Sequence, residues 1–288
     1  MENKTLNRWL FFVCALFMVM SCESQRQRFT SPPGYDLSKP KRYKMPDELR
    51  EISGIAFNKG MNDTLYAEED ENGKVFHFKL GDPRMQITRF GKKGDFEDIS
   101  ICNQFTILLR SDGVLFTFPL AETRQRDARH VKVFEGLLAN GEYEGLASID
   151  VSGKVFVLCK HCSDEKTKKW GGGSILQLDD SGSLTSAGEF EINVKEIDAL
   201  AGTHKINFHP SALSLNPWTR EWWLLSATNR MLVITDESWN VKAVHSLDPS
   251  LFPQPEGMAF DSQHNLYISN ERGQTASATV LVFAWQNN

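Results

Sequence analysis

The stretch "PQPEGMAF", residues 253–260, places an acid, Glu256, directly before a glycine and a short apolar run. The same order of residues recurs in "REISGIAF" (50–57), "DFEDISI" (95–101) and "EYEGLASI" (142–149). A short pattern repeated along one chain indicates a supersecondary unit that has been copied several times.

Four acids mark these repeats at a regular spacing. Glu51, Glu97 and Glu144 lie about 46 residues apart, and Glu256 follows after more than twice that interval. Pro210, in "HPSALSLN", stands about 46 residues before Glu256 and takes the missing place. A period of roughly 40 to 50 residues is typical of propeller blades, which contain four short strands each.

Each repeat contains further β-rich runs, such as "FTILLR" and "GVLFTFPL", separated by turns rich in Asp, Asn and Gly. We therefore predict an all-β protein, a β-propeller with five blades. The two Trp of "EWWLL" should face opposite sides of their strand. A β-sandwich also has short alternating strands, but it does not explain one marker recurring over almost the whole chain.

The last repeat lacks a fourth strand because the chain ends at Asn288. We predict that an N-terminal strand within "YDLSKPKRYKMP" (35–46) completes this blade and removes the open sheet edge. The long third interval contains "KKWGGGS", interpreted as a glycine-rich loop, and "VKEIDALAG", interpreted as a helix. Six blades would require this insertion to form a blade of its own.

The first residues are typical of a bacterial lipoprotein. A basic start is followed by an apolar run too short to span a bilayer, and "VMSC" resembles a lipobox ending at Cys22. We predict a signal peptide over 1–21, acylation of Cys22 with palmitate or a similar chain, a tether over 22–40 and a single propeller domain over 41–288. The protein would then be anchored to a membrane of the cell envelope, on its periplasmic face or at the cell surface. A plain signal peptide is the alternative.

The formal net charge of −5 argues against nucleic acid as a partner, because such binding needs a basic face. Three cysteines remain after Cys22, so at most one disulfide can form. The "CKHC" stretch at 159–162 suits a redox or zinc site, but no second ligand pair stands at metal spacing. We interpret Cys159 as the end of a strand and Cys162 as the start of a loop.

The repeats resemble those of the SdiA-regulated family of bacterial β-propellers. The resemblance rests on "ISGIAFNKGMNDTLYAEEDENGKVFHFKL", "YEGLASIDVSGKVFVLCK" and "PQPEGMAFDSQHNLYISNER", and it covers about residues 46–283. It implies a propeller in the cell envelope, and the family name records regulation rather than an activity. More distantly, "PEGMAFD" is similar to repeat starts of calcium-dependent lactonase propellers and esterase-like phytases.

In a propeller the four acids Glu51, Glu97, Glu144 and Glu256 would surround the central channel. Two carboxylates about 7 Å apart repel by roughly 2 kcal/mol at an effective dielectric of 20, so a cation, a base or protonation must offset the charge. Candidate bases follow the second strand of four repeats: Arg110, Lys160, Arg230 and Arg272. A channel-lining network of these acids and bases is one interpretation, and a ligand-binding site is the other.

The first repeat has no such base and carries surplus acid. Glu51, Glu68 and Glu69, with the amide of Asn270, could provide oxygen ligands for calcium. Calcium is the only cofactor that the sequence suggests.

No nucleophile elbow, zincin motif or nucleotide-binding motif is present in the sequence. We therefore favour a binding protein whose ligand is a small molecule, a glycan or a protein held at the channel. A metal-dependent hydrolase resembling propeller lactonases or phytases is the alternative.

Overall fold

The computed structural model describes residues 29–162, 170–203 and 205–286, without the side chain of Trp170. Within these residues, twenty strands form five antiparallel sheets of four strands each. The innermost strands of neighbouring sheets contact each other around a complete ring. The prediction of an all-β propeller with five blades is confirmed.

The strands follow one another around the ring in chain order. Strand β1 (Lys41–Lys44) precedes the first blade. Blade 1 contains β2 (Ile52–Phe57), β3 (Leu65–Glu69), β4 (Asn72–Phe78) and β5 (Met85–Lys93). Blade 2 contains β6 (Phe96–Cys102), β7 (Phe105–Arg110), β8 (Leu115–Pro119) and β9 (Lys132–Phe134).

Blade 3 contains β10 (Gly141–Ile149), β11 (Lys154–Cys162), β12 (Trp170–Leu178) and β13 (Leu184–Asn193). Blade 4 contains β14 (Ala212–Leu215), β15 (Trp222–Ser226), β16 (Met231–Thr235) and β17 (Val241–Ser246). Blade 5 contains β18 (Pro255–Phe260), β19 (Leu266–Asn270) and β20 (Thr279–Phe283). Short 3-10 helices span Asp47–Leu49 and Leu120–Arg124.

Strand β1 is the outer strand of blade 5. It pairs antiparallel with β20, from Lys41 opposite Val282 to Lys44 opposite Thr279. The predicted closure by an N-terminal strand is confirmed. Since β1 covers the outer edge of β20, the ring closes with strands from both ends of the propeller.

The predicted helix is α1 (Val194–Ala201), between blades 3 and 4. The Asn193 side chain caps its first turn by accepting a hydrogen bond from the N–H of Lys195, and Gly202 ends it with a φ of 66°. Ile197 is the buried residue of this helix. Among the described residues, no helix is long and apolar enough to cross a membrane.

The hydrophobic core lies between the blades, because each sheet buries both of its faces against its neighbours. Trp222 packs with Phe156 and Phe190 between blades 3 and 4. Trp223 packs with Phe260 between blades 4 and 5. The two Trp therefore face opposite sides of β15, as their adjacent positions predict.

One sequence interpretation of this region is wrong. The glycines of "KKWGGGS" lie in strand β12 rather than in a loop. Glycine is required there because Cβ atoms at Gly172 and Gly173 would come within 2.2 Å of the Phe190 oxygen and 1.9 Å of the Val157 oxygen. The structure describes residues 29–40 of the predicted tether. Tyr35 and Leu37 are buried between blades 4 and 5, so the described part of the tether packs on the propeller. Residues 1–28, including Cys22, lie outside the described residues.

Small residues allow the inner strands to approach each other closely. A Cβ at Gly257 in blade 5 would lie 2.3 Å from the Ser53 oxygen in blade 1 and 2.5 Å from the Ser269 hydroxyl. The Ser269 hydroxyl donates a hydrogen bond to the Ser53 oxygen at 2.7 Å. The glycine that follows the acid in the repeat motif thus allows the central strands to lie close together.

We predict that Gly257→Ala destabilises the protein by about 1 to 3 kcal/mol, because the added methyl group overlaps Ser53 and Ser269. Urea unfolding followed by circular dichroism measures this effect. Gly91→Ala is the matched control, since a Cβ there meets ordinary contacts at 3.8 Å and 3.9 Å. An equal loss in both variants would contradict the close-approach argument.

Candidate functional site at the acidic mouth of the channel

Three of the four marker acids occupy the same structural position. Glu97, Glu144 and Glu256 each lie where the pairing of the inner strand with the second strand shifts register. In blade 5, for example, Pro255 pairs with Asn270 and Gly257 with Ser269, so Glu256 is the extra residue. A β-bulge of this kind redirects a side chain. The bulges therefore present three acids at the end of the channel where the inner strands begin.

The other two blades carry serines at this position, which corrects the predicted ring of four. Aligning "SGIAF" of blade 1 with "EGMAF" of blade 5 matches Ser53 to Glu256, and Glu51 lies before β2. In blade 4, Ser211 rather than Pro210 takes the place, and its hydroxyl donates to the Pro255 oxygen at 2.8 Å. Ser211 thus links the inner strands of blades 4 and 5, whereas Ser53 accepts a hydrogen bond from Ser269 in the second strand of blade 5.

Two further acids at this end were missed by the sequence analysis. Asp70 and Glu271 follow β3 and β19 directly and correspond to Lys160 in blade 3, as the register of the second strands shows. Alignment of the ends of the second strands would have found them. We call the group formed by Glu51, Asp70, Glu97, Glu144, Glu256 and Glu271 the acidic mouth.

Burial and mutual repulsion raise the pKa values of Asp70, Glu97, Glu256 and Glu271. Burial, followed by the charge of Glu144, raises the pKa of Glu97 to about 9. Burial and Asp70 raise the pKa of Glu271 to about 7, and burial and Glu51 raise that of Asp70 to about 6. The pKa of Glu256 is raised well above its usual range by burial and by Glu271. Several of these carboxyl groups can hold protons at neutral pH.

Lys160 is the base that contacts one of the three bulge acids, Glu144. Its ammonium binds the Glu144 carboxylate and lies 3.3 Å from Glu142 Oε1. Although burial opposes it, hydrogen bonding and the charges of Glu144 and Glu142 raise the pKa of Lys160, so its side chain is charged. The predicted network of acid and base is thus formed in blade 3.

The other predicted bases lie elsewhere. Arg110 binds Asp112, with Nη2 2.8 Å from Oδ2. Arg230 is exposed and occupies a left-handed turn with a φ of 52°. Arg272 donates its backbone N–H to the Arg50 oxygen at 2.8 Å, and Arg50 approaches Glu51 at 3.5 Å. Arg50 is therefore a second base near the acidic mouth, at its edge.

The residues suggested for calcium are mostly buried in the sheets. Glu68 accepts a hydrogen bond from the Gly54 N–H at 2.6 Å, and Glu69 accepts one from the Glu71 N–H at 3.1 Å. Among the described residues, Glu68 Oε2, Glu69 Oε1 and both polar side-chain atoms of Asn270 have no hydrogen-bond partner. The described residues contain no group of three or more His, Cys, Asp or Glu arranged to hold a metal ion.

The "CKHC" stretch also differs from its sequence interpretation. Cys159 and Cys162 form a disulfide, and β11 continues through Cys162. The free thiol of Cys102 is buried. A cavity of about 470 Å³ lies beside the disulfide, between Gly171 and Phe208.

The channel also has a cavity near its other end. Its volume is about 370 Å³, and all five inner strands line it. Two basic and two acidic side chains surround it: Lys59, Arg220, Asp150 and Asp261. Asp261 has a structural role, since it accepts hydrogen bonds from Tyr267 and Asn62, both at 2.8 Å.

The fold and this site define a class of protein, a five-bladed β-propeller with an acidic mouth at one end of its channel. The chain belongs to the SdiA-regulated family, which it matches over residues 33–273. The resemblance found in the sequence is therefore confirmed. A search of curated protein sequences found no match to this chain.

Solved structures of other propellers share the fold. A luciferin-regenerating enzyme has 9% sequence identity and a TM-score of 0.53, with 85% of this chain and 95% of that chain covered. Glutaminyl cyclase from Myxococcus xanthus has 13% identity and a TM-score of 0.53, with 86% of this chain and 96% of that chain covered. At such low identity, these likenesses show the fold alone.

The raised pKa values predict that stability falls as pH rises from about 5 to about 9. In this window the folded protein binds more protons than the unfolded chain, so the free energy of unfolding has a negative slope, at most about 1.4 kcal/mol per pH unit for each group. Urea unfolding at several pH values measures the slope.

Glu97→Gln should flatten this slope, because the amide does not titrate. Glu48→Gln, at an exposed position in the first 3-10 helix, is the control and should leave the slope unchanged. Stability that rises toward pH 9 in the unmodified protein would contradict the assignment.

Proposed function

We propose that this protein binds a positively charged small molecule, such as an amine or polyamine, at the acidic mouth. One observation carries the proposal. Among the described residues, the six carboxyl groups of the acidic mouth have one ammonium partner, Lys160, which binds Glu144 alone of the six, and the Arg50 guanidinium approaches Glu51 at the edge.

The contacts of Lys160 support an ammonium group as the chemistry that this site accepts. The ammonium group of Lys160 forms ion pairs with the carboxylates of both Glu144 and Glu142. Burial raises the pKa values of Glu97, Glu256 and Glu271, and it raises that of Glu144 even though Lys160 binds this carboxylate, so the charge of Lys160 offsets only part of the cost of burying these acids. A ligand cation would lower these pKa values, and the protein would release protons when the ligand binds.

We predict that spermidine, used as the probe, binds at least about tenfold more tightly at pH 8 than at pH 5.5, because protonated carboxyls lose their attraction for a cation. Isothermal titration calorimetry measures the affinity. Titrations in buffers of different ionisation enthalpy count the released protons.

Glu256→Gln should weaken spermidine binding by about tenfold or more. Glu237→Gln is the matched control, because it removes the same charge from an exposed side chain on the outside of blade 4. Equal losses in the two variants would show that spermidine responds to overall charge and would overturn the proposed site.

A divalent cation is the second candidate ligand. The unpartnered oxygen atoms of Glu68, Glu69 and Asn270 favour it, because calcium needs six to eight oxygen ligands. Calcium chloride therefore forms a second arm of the same titration, with a lactone substrate added. Calcium binding with lactone turnover that Glu256→Gln abolishes would favour the hydrolase alternative, whereas spermidine binding without turnover favours the binding protein.

We also propose that Cys22 carries the lipid anchor and that the propeller is held at a membrane of the cell envelope. The lipobox sequence supports this proposal. Metabolic labelling with an alkyne analogue of palmitate should modify the full-length protein, and Cys22→Ala should abolish the labelling. Labelling that persists in Cys22→Ala would contradict the assignment of the lipid to this residue.

A further inference from the structure

We infer that the Cys159–Cys162 disulfide is a thiol-exchange site, open to attack from the adjacent cavity, and that its reduction releases Lys160 from the acidic mouth. The disulfide closes a ring of four residues. Lys160 and His161 are the two residues inside it. The inference concerns the disulfide itself, and its test does not depend on any ligand of the acidic mouth.

Stabilisation of the fold is a poor explanation for this disulfide. Disulfides stabilise proteins mainly by restricting the unfolded chain, and the shortest loops gain the least. The segment is also held by the sheet, since Cys162 pairs with Gly141 in β10 and Cys159 pairs with Gly172 in β12. The fold therefore has little need of a covalent link at this position.

The surroundings give an external thiol access to the sulfur atoms. Both cysteines line the cavity of about 470 Å³, together with Lys160, Gly171 and Gly172. A Cβ at Gly141 would come within 3.3 Å of Cys162 Sγ, so a glycine leaves space on the other side. Cys159 is 6% exposed, whereas Cys162 is half-buried. Cys162 Sγ is the more accessible atom for attack.

Two histidines next to the disulfide can accept the proton of an incoming thiol and return it to the thiolate that leaves. His161 Nδ1 lies 2.7 Å from Glu142 Oε2, and its ring packs against His209 with centroids 4.5 Å apart. Among the described residues, His209 Nδ1 is buried without a partner. Burial, His161 and Lys160 lower the pKa of His209, so its ring is neutral and can accept a proton.

The reaction requires a thiol as co-reactant, either a small thiol or a thiol–disulfide oxidoreductase. Its thiolate bonds to Cys162 Sγ, the bond to Cys159 breaks, and the Cys159 thiolate takes up the proton lost by the incoming thiol. A second thiolate attacks the incoming sulfur of this mixed disulfide, and Cys162 leaves and is protonated. The protein disulfide is reduced, and two thiols are oxidised to one disulfide.

The ring also fixes the base of the acidic mouth. The sheet pairs Cys159 and His161 with β10 but skips Lys160, so the ring is what restricts the backbone at this residue, and opening it relaxes the placement of the ammonium group against Glu144 and Glu142. Reduction should therefore expose Lys160 to acylating reagents.

The first test is native-state reduction of the full-length protein with millimolar dithiothreitol, followed by N-ethylmaleimide and peptide mass spectrometry. We expect Cys159 and Cys162 to be alkylated while Cys102, whose pKa burial raises to about 12, stays unmodified until urea is added. A disulfide that opens only when Cys102 also reacts would overturn the inference, because reduction would then require unfolding.

Single variants identify the attacked sulfur. Cys159→Ser, which leaves Cys162, should form a mixed disulfide with glutathione disulfide at least about tenfold faster than Cys162→Ser, which leaves the more buried Cys159. Equal rates would refute the assignment of Cys162 as the exchange atom.

Acetylation of lysines, mapped by mass spectrometry, tests the consequence for Lys160. Its rate should rise at least about threefold on reduction, because the side chain leaves its buried ion pair. Lys242, paired with Glu221 on blade 4, is the matched control and should not change. Unchanged acetylation of Lys160 in the reduced protein would refute the coupling between the disulfide and the acidic mouth.

Discussion

The antiparallel pairing of β1 with β20 is the constraint on which the rest of the structure depends. Without it, the last sheet would have three strands and an open edge, and the ring would not be complete. The closed ring presses the five inner strands together, to the point where a methyl group at Gly257 has no space. It also forces Glu97, Glu144 and Glu256 toward one axis, where their charges interact.

Bringing the carboxyl groups of the acidic mouth together lowers the stability of the folded protein, and other interactions of the fold offset only part of this loss. Burial and neighbouring acids disfavour the charged form of a carboxyl group, which explains why the pKa values of Glu97, Glu256 and Glu271 are raised. Perturbed titrating groups concentrated in one concave place are typical of functional sites. Burial also raises the pKa of Asp98, but both of its oxygens accept backbone hydrogen bonds, from Ile99 at 2.8 Å and Leu146 at 2.6 Å, which oppose this shift and hold neighbouring blades together.

The sequence predicted the fold better than the site. The spacing of Glu51, Glu97, Glu144 and Glu256, with Pro210 in the doubled interval, was enough to count the blades, because each blade must start its inner strand at about the same place. The acids alone could not reveal the β-bulges, because the inner strands are buried on both faces and have no polar and apolar alternation for an extra residue to shift. That is why Glu51 was grouped with the others, although Ser53 holds the equivalent place.

Residues that act through tertiary contacts were the hardest to predict. Asp70 and Glu271 follow the second strands, and their equivalence to Lys160 shows when the ends of those strands are aligned with one another. The disulfide required the strand to continue to Cys162.

The presence of the first and last strands of the propeller in one blade has a consequence for biosynthesis. A ribosome makes β1 before every other strand of the ring, so β1 must wait for β20 before it can pair. This pairing spans nearly the whole propeller, and contacts of such sequence separation form slowly. The nascent propeller therefore cannot complete its native topology until β20 has been made, and partial chains expose sheet edges that chaperones can bind.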